Sequence, residues 1–490
     1  MPRGSWSVLV LLAAGCGGGG AVTPPPGGGA PAIASFAASK TAIQAAQHVD
    51  LTAVFSDGAG SIDQGVGAVQ TGVAVSVAPA VTTTYTLTVS AAGKTSVTAS
   101  VLVNVATGAA CLGSALMQGL GKTNVLVGAQ MEDVTAAKAP FDARYLYLSG
   151  GYFDGTAPCT SCHSGCTTSG KSCVNGACDW WGCWQDDQQP PGAYARSFIA
   201  TAKAHAQIPW FTYYEELQAS GLGEGAAQLA GLNDNALMTR YFADFRFLLQ
   251  QIGSETAFVH VEPDLWGYCE QKNADPHLIP AKVQGANATD CATQENSVAG
   301  FARCLVAMAR KYAPHARIGL HASEWASGKE VFLNTSASFD VAGEARKVGT
   351  FLTAAGAGNG DFIVVDPSDR DAGFYASQGQ NTSWDATNQT LPHFHQALDW
   401  TKALAESVQL PAILWQIPVG NASQNNTATH WKDNRVDYFF AHPGELASAH
   451  AAGMLFGAGR DDQTNPETDG GNLVARTKAL ATAGGQALCP

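Results

Sequence analysis

The chain has 490 residues, of which 46% are hydrophobic and 14% are charged, and its formal net charge is -13. A chain of this length buries a large core and is expected to hold more than one domain. The acidic balance excludes nucleic acid as a partner, because phosphates require basic surfaces, and it suits a neutral or weakly charged partner.

The first residues have the form of a targeting segment. Arg3 precedes an apolar run, Trp6 to Ala14, that is too short to span a bilayer. The sequence Leu12-Ala-Ala-Gly-Cys16 resembles the lipobox of bacterial lipoproteins, which implies removal of residues 1–15 and lipidation of Cys16. An ordinary signal peptide is the alternative. Either predicts export, and the lipid predicts a membrane anchor at the cell surface or in the periplasm. Residues 16–31, rich in Gly and Pro, predict a tether.

Residues 32–106 predict an all-β domain. Runs with period-2 alternation, such as Val49–Phe55 and Tyr85–Val89, are separated by Gly, Asp and Pro turns. This spacing is typical of an antiparallel sandwich of roughly seven strands. The stretches Ile33–Ser39, Leu51–Phe55 and Thr82–Val89 resemble a bacterial immunoglobulin-like domain, which implies a spacer or an adhesion module.

From residue 111 to 490 the pattern changes to alternating strands and helices. Continuous apolar runs between amphipathic helices predict a parallel sheet buried on both faces. Eight such units favour an α/β (β/α)8 TIM-like barrel with long loops. A doubly wound open sheet is disfavoured, because no G-x-G-x-x-G follows the first strand. The predicted strands are Val125–Ala129, Ala143–Leu148, Pro209–Tyr214, Ala257–Glu262, Arg317–His321, Phe362–Asp366, Ala412–Trp415 and Gly453–Phe456.

Export also allows disulfides to persist. In the barrel region, Cys111 and Cys489 would join the two ends, Cys269 and Cys291 flank one long loop and are expected to pair, and Cys304 would remain a buried thiol. An insert, residues 155–190, predicts up to three disulfides that hold a loop lacking a core, rather than a zinc site. No metal or other cofactor is expected. The insert's cysteines are Cys159, Cys162, Cys166, Cys173, Cys178 and Cys183.

Carboxylates and aromatic side chains recur where the predicted strands end. These ends form the active-site face of a (β/α)8 barrel, and a carboxylate at the tip of a core strand is costly to desolvate. Glycosidic bond cleavage needs paired carboxylates, and aromatic faces match the apolar faces of sugar rings. Candidate catalytic residues are Glu262, Asp264, Glu324, Asp366 and Glu215. Candidate substrate-binding residues are His260, Trp266, His321, Trp325, Tyr214, Tyr152, Trp415, Gln416, Arg460 and Asp461.

The fourth predicted strand resembles two groups of barrel glycoside hydrolases. Val261-Glu262-Pro263 is similar to the Asn-Glu-Pro motif of many retaining members, but the asparagine is missing. Strand seven also ends in Trp415-Gln416, where those members carry a nucleophilic glutamate. Glu262-Pro263-Asp264-Leu265 resembles the Glu-Pro-Asp motif of the family six cellulases, followed by His321–Trp325 on the next strand. In that family the aspartate of the motif is the general acid. The resemblance therefore implies Asp264 as the acid, whereas the position at the strand end favours Glu262.

The leading hypothesis is therefore a monomeric, surface-anchored glycoside hydrolase acting on a polysaccharide such as a β-glucan. Glu262 or Asp264 would be the general acid, its pKa raised by an apolar surround. Its partner would be Glu324, Asp366 or Glu215, with Glu324 slightly preferred. The alternative is a non-catalytic carbohydrate-binding or adhesion lipoprotein on the same scaffold, which the missing glutamate of strand seven favours.

Overall fold

The computed structural model describes residues 29–44, 49–106, 111–149, 184–185 and 190–489. The predicted leader, the lipidated Cys16, nearly all of the tether, Tyr152 and the six cysteines of the insert lie outside the described residues. No helix in these ranges is both long and apolar enough to cross a membrane.

Residues 32–106 form two small sheets around one hydrophobic cluster. The strands are β1 (Ala32–Ala38), β2 (Ala42–Gln44), β3 (Val49–Ser56), β4 (Ala59–Ile62), β5 (Gly67–Val69), β6 (Ala74–Val77), β7 (Thr83–Ser90) and β8 (Val97–Ala106). One sheet has the order β1-β3-β6 and the other β2-β8-β7-β4-β5, and only β2 and β8 among the described pairs are parallel. Alternate residues such as Leu51, Leu87 and Val89 are fully buried. The predicted alternation is confirmed, and the immunoglobulin-like assignment stays a prediction.

Eight parallel strands then close into a barrel, as predicted. Each strand pairs with the next along the chain, and the last pairs with the first. All eight predicted strands are confirmed to within two residues at each end. Their buried runs explain the apolar pattern, because the inner face packs on itself and the outer face on helices. The strands are β9 (Leu126–Ala129), β10 (Ala143–Leu148), β11 (Ile208–Tyr213), β12 (Phe258–Val261), β13 (Arg317–Ala322), β14 (Phe362–Val365), β15 (Ala412–Ile417) and β16 (Ala451–Phe456).

Helices surround the barrel and connect its strands. Asp234 caps α5 by accepting hydrogen bonds from two backbone N–H groups, and Ser297 caps α7 in the same way through one. In the described ranges the helices are α1 (Ser114–Gly119), α2 (Asp133–Ala136), α3 (Ala193–Ala204), α4 (Glu216–Ser220), α5 (Asn235–Ile252), α6 (Leu265–Lys272), α7 (Val298–Tyr312), α8 (Val341–Ala355), α9 (Ala372–Ser377), α10 (Phe394–Val408), α11 (Arg435–Ala441), α12 (Pro443–Ser448) and α13 (Asn472–Thr482).

The disulfides confirm one predicted pairing and correct another. Cys111 is bonded to Cys489, so the two ends of the barrel region are joined across a separation of 378 residues. The predicted bond between Cys269 and Cys291 is wrong, because Cys291 is bonded to Cys304 and Cys269 is a buried free thiol on α6. The buried face of α7 carries Cys304 toward the loop that holds Cys291, a contact that sequence position alone did not indicate.

A buried ion pair connects the first domain to the amino end of the barrel. Asp361, just before β14, accepts hydrogen bonds from Arg310 Nη1 (2.8 Å), Thr41 Oγ1 (3.0 Å) and the backbone N–H of Ile318 (2.8 Å). Thr41 Oγ1 in turn accepts a hydrogen bond from Arg317 (2.7 Å). The side chains of the ion pair are only 3% and 1% exposed. The first domain therefore contacts the barrel at the amino ends of β13 and β14, opposite the predicted active-site face.

We expect Asp361→Asn to lower the free energy of unfolding by about 3 kcal/mol, because it leaves the buried guanidinium of Arg310 without a counter-charge. Urea denaturation of the full chain measures this change. Asp340→Asn is the matched control, since Asp340 is exposed and asparagine caps α8 as well as aspartate does. Equal stability changes in the two variants would contradict the importance of the ion pair.

Candidate active site

A cavity of about 390 Å³ opens at the carboxyl ends of β12, β13 and β14, and we call it the crater. Its volume falls in the usual range for ligand pockets, roughly 300–1,000 Å³. Carboxyl groups and aromatic rings dominate its lining, as the strand ends predicted. The charged, polar and aromatic residues that line it include Glu224, Asp264, Tyr268, His321, Ser323, Glu324, Trp325, Glu330, Asp366, Asp369, Tyr375, Thr382 and Arg435.

Asp264 enters the crater from the turn between β12 and α6. Its Oδ1 atom accepts a hydrogen bond from Ser323 Oγ (3.3 Å) and lies 3.7 Å from His321 Nε2. Burial raises the pKa of Asp264 to about 7, the charges of Glu224 and Asp369 also raise it, and the Ser323 hydrogen bond opposes the shift. Asp264 can therefore hold a proton near neutral pH, as a general acid must.

Asp366 enters the crater from the end of β14. Its carboxylate accepts hydrogen bonds from the backbone N–H of Ser368 (2.9 Å) and from Gln416 Nε2 (3.3 Å). The Gln416 Oε1 atom accepts a hydrogen bond from the Tyr147 hydroxyl. Because the amide oxygen is held by Tyr147, its NH₂ group is directed at Asp366. Gln416 thus stands at the end of strand seven as a hydrogen-bond donor to a carboxylate.

The negative charge of Asp264 disfavours ionisation of Asp366. Burial raises the pKa of Asp366 well above its usual range, and the charges of Asp369 and Asp264 raise it further. However, two N–H donors stabilise ionised Asp366, whereas one hydroxyl serves Asp264. When Asp264 is protonated, its repulsion of Asp366 disappears. With the proton on Asp264, the two N–H donors favour the ionised form of Asp366.

A chain of hydrogen bonds runs from the barrel interior toward Asp264. Trp210 Nε1 donates to Thr212 Oγ1 (3.0 Å), which lies 3.3 Å from His260 Nδ1. His260 Nε2 then lies 3.1 Å from His321 Nδ1. The indole N–H can only donate, so Thr212 Oγ1 accepts from it and has its own proton free for His260 Nδ1. With Thr212 donating, His260 Nε2 donates to His321 Nδ1. His321 then carries its proton on Nε2, 3.7 Å from Asp264 Oδ1.

His260 and His321, the two histidines in this series of hydrogen bonds, are both neutral. Burial lowers the pKa of His260 well below its usual value, helped by His321, and burial lowers the pKa of His321 to about 3. Each ring then carries one proton, as donation from Thr212 to His260 and from His260 to His321 needs. His260 lies inside the barrel, whereas His321 lines the crater.

Glu262 points away from the crater. Its φ of +51° breaks the strand alternation that places His260 in the barrel interior. Its Oε1 atom accepts hydrogen bonds from the backbone N–H groups of Glu215 (3.2 Å) and Glu216 (3.3 Å), and the residue is fully buried. Burial raises the pKa of Glu262 to about 7, opposed by hydrogen bonds from Tyr241 and these two N–H groups.

Glu215 lies in the same buried region as Glu262. Its carboxylate accepts a hydrogen bond from Trp184 Nε1 (3.1 Å), and neither carboxylate lines the crater. Burial, with the charge of Glu262, raises the pKa of the adjacent Glu216 to about 8. The structure therefore brings Glu215 and Glu262 together with each other and not with Asp264.

Glu324 does line the crater, but it is engaged with Glu330. Its Oε2 atom accepts a hydrogen bond from the backbone N–H of Val331 (2.6 Å). Burial raises the pKa of Glu324 well above its usual range, and a hydrogen bond with Glu330 adds to the shift. This contact with a second carboxyl group makes Glu324 a weaker candidate than Asp366 for the ionised partner of Asp264.

The predicted aromatic residues fall into two groups. Trp325 lines the crater beside Tyr268, with ring centroids 4.7 Å apart. Trp415 is buried in the barrel interior, and Trp266 stacks on Phe301 of the surrounding helices. Of the three predicted tryptophans, Trp325 is the one that presents a ring to the crater.

Tyr214, Arg460 and Asp461, which the sequence also predicted to bind substrate, lie at the same end of the barrel as the crater. The charge of Asp264, after burial, raises the pKa of Tyr214 well above its usual range, which indicates that the two groups are close. Arg460 and Asp461 line a second hollow of about 480 Å³, together with Tyr145 and Arg144 from β10. They are therefore separate from the crater.

Several residues in or beside the crater were not singled out from the sequence. Tyr147, which donates to Gln416, was detectable, because it has the same strand parity as Tyr145 and lies next to the end of β10. Glu224 and Tyr268 belong to a loop and to α6, where no strand-end signal marks them. The same holds for Glu330.

The sequence matches no protein-family profile and no curated protein. Among solved structures, a GH5 xyloglucanase from Bacteroides ovatus is similar at 10% identity and a TM-score of 0.40, over 91% of this chain and 100% of that chain. An endo-β-1,4-mannanase from Cellulomonas fimi gives 11% identity and a TM-score of 0.40, over 76% and 74%. The endoglucanase Cel6 from Mycobacterium tuberculosis gives 12% and 0.25, over 46% of this chain and 56% of that chain. This chain thus spans little more than half of the Cel6 structure, and the function rests on the site itself.

We expect an aspartate resonance that titrates near pH 7 to be lost in Asp264→Asn, while that of Asp371, whose pKa burial and the charge of Asp433 also raise to about 7, remains. Carbon-13 NMR of aspartate-labelled protein measures it. Glu224→Gln should lower the pKa of Asp264, because it removes the largest neighbouring charge that raises it. If no aspartate resonance that titrates near neutrality is lost in Asp264→Asn, the proton is not on Asp264.

We expect Thr212→Val to raise the pKa of Asp264, because the chain that fixes the His321 N–H donor is interrupted and a donor favours the ionised carboxylate. The same NMR titration measures the shift. Thr212→Ser keeps the hydroxyl and should restore the wild-type value. A shift of equal size in both variants would show that packing, not the hydrogen bond, is responsible.

Proposed function

We propose that the protein is a glycoside hydrolase that cleaves O-glycosidic bonds of a polysaccharide, with Asp264 as general acid and Asp366 as its carboxylate partner. The observation that carries the proposal is the unequal hydrogen bonding of these two carboxyl groups within one crater. Two carboxyls whose surroundings separate their protonation states form the acid and base pair that this reaction needs.

In the proposed reaction, protonated Asp264 donates its proton to the glycosidic oxygen as the bond to the anomeric carbon breaks. Ionised Asp366 acts on the other side of the sugar, either as the nucleophile or as the base that deprotonates a water molecule. The N–H group of neutral His321 faces the Asp264 carboxylate that proton donation leaves behind. It therefore favours the product state of the proton transfer.

The same assignment gives Glu262 and Gln416 supporting roles. Glu262 anchors the turn that carries Asp264, through its hydrogen bonds to the chain after β11. Gln416 stands where the retaining enzymes of similar motif carry a glutamate, and here it donates to Asp366. The missing glutamate of strand seven is thereby reconciled with catalysis, because the ionised partner comes from strand six.

We also propose that the protein acts outside the cytosol, exported and lipid-anchored through Cys16. The first domain would serve as a spacer, which its attachment at the amino end of the barrel supports, since the crater is left open. Trp325 and Tyr268 offer aromatic faces for a polysaccharide chain, and β-glucans are the first neutral substrates to test.

We expect Asp264→Asn and Asp366→Asn each to lower kcat on polysaccharide by about 10²- to 10⁴-fold. Asp264→Asn should retain much more activity on aryl glycosides, because a good leaving group needs no acid. Asp366→Asn should lose activity on both substrates. For the wild type, kcat/KM should fall as pH rises through about 7, where Asp264 of the free enzyme loses its proton. Release of reducing ends and of the aryl alcohol measures the two activities.

Glu262→Gln is the discriminating control for the alternative acid. It keeps the acceptor for the two backbone N–H groups and should retain most of the activity. A loss in Glu262→Gln with the aryl-glycoside pattern expected for Asp264→Asn would transfer the acid role to Glu262. Binding of polysaccharides without hydrolysis by the wild type would favour the non-catalytic lipoprotein.

A further inference from the structure

The crater carries far more negative than positive charge. Six carboxyl groups line it, from Glu224, Asp264, Glu324, Glu330, Asp366 and Asp369. Arg435 is the cationic side chain among the described lining residues, and His321 is neutral. A neutral glycan offers no counter-charge for so many carboxylates.

The cations nearest the crater are already paired. Arg435 Nη1 lies 2.7 Å from Asp433 Oδ2, and both side chains are at most 1% exposed. Arg370 is paired with Asp369. Asp264, Asp366 and Glu224 therefore face the crater without an ion-pair partner of their own among the described residues. Nor do any three His, Cys, Asp or Glu side chains in the described ranges converge as ligands for a metal ion.

Aromatic rings stand between these carboxylates. The Tyr268 hydroxyl donates to Glu224 (3.1 Å), and its ring lies against Trp325. On the other wall the Tyr375 hydroxyl donates to Asp369. Aromatic faces attract cations through their quadrupole, so carboxylates interleaved with rings form a surface suited to an ammonium group.

A buried polar atom on the wall also lacks a partner. Thr382 lines the crater and is only 6% exposed, yet its Oγ1 atom has no hydrogen-bond partner among the described residues. Leaving a buried hydroxyl without a hydrogen-bond partner is energetically costly. A ligand with N–H or O–H groups would satisfy it.

We propose that the crater recognises a glycan whose sugars carry protonated amino groups, such as a polymer of glucosamine or galactosamine. This rests on the proposed glycosidase function and names its substrate class. The ammonium groups supply the counter-charge that Glu224 and Asp366 lack. Trp325 and Tyr268 supply the faces for the rings and for the cations.

The test compares three β-1,4-linked hexasaccharides that differ only at C2: glucosamine, N-acetylglucosamine and glucose, with oligogalactosamine as a second amine probe. Calorimetry on full-length Asp264→Asn protein gives affinities, and mass spectrometry of wild-type digests gives cleavage. One of the amine probes should bind about tenfold more tightly than both neutral hexasaccharides, the sum of a few ion pairs. The preference should weaken with added salt.

Glu224→Gln, made in the same background, should reduce the ratio of amine-probe to neutral-probe affinity by about two- to fivefold, the size of one exposed ion pair. Asp399→Asn is the matched control, because Asp399 is an exposed carboxylate on α10, and it should not change this affinity ratio. Equal, salt-independent binding of amine and neutral probes would overturn the inference, even if a neutral glycan were cleaved. Preferential binding of an amine probe without cleavage would support the inference and overturn the hydrolase proposal.

Discussion

The turn after β12 decides which carboxylate reaches the crater. Glu262 and Asp264 flank Pro263, and both have positive φ values, +51° and +67°. Such angles are uncommon for residues other than glycine and store strain, typically 1–3 kcal/mol each. The hydrogen bonds of Glu262 to the backbone after β11 offset that strain. Buried Glu262 thus fixes the conformation of the turn, and Asp264, two residues later, faces the crater.

Buried carboxyl groups occur at both ends of the barrel, but Asp361 at the amino end is paired with a cation, whereas Asp264 and Asp366 at the carboxyl end are not. At the amino end, Asp361 is compensated by Arg310 and two further donors, and its burial ties the domains together. At the carboxyl end, Asp264 and Asp366 have no such cation, and their pKa values rise instead. A compensated carboxylate is a structural element, whereas an uncompensated one is available to exchange a proton.

The barrel was predictable because its signal is local. Apolar runs alternating with amphipathic helices identify the strands, and closure then places their ends on one rim. The roles of residues on that rim depend on contacts that the sequence does not encode locally. A left-handed turn keeps Glu262 out of the crater, and Glu324, which does line the crater, is engaged there by Glu330. Cys304 is a similar case, since its helix face was visible but its bonding partner was not.

The excess negative charge of the crater is consistent with both proposals for the site. Glycosidic cleavage passes through an oxocarbenium-like state, and fixed carboxylates stabilise positive charge that develops beside them. The same carboxylates attract a permanently cationic sugar before the reaction begins. An ammonium group bound near Glu224 would lower the pKa of Asp264 by opposing the repulsion that now raises it. Substrate binding would therefore bring the acid closer to releasing its proton, which couples recognition to the first chemical step.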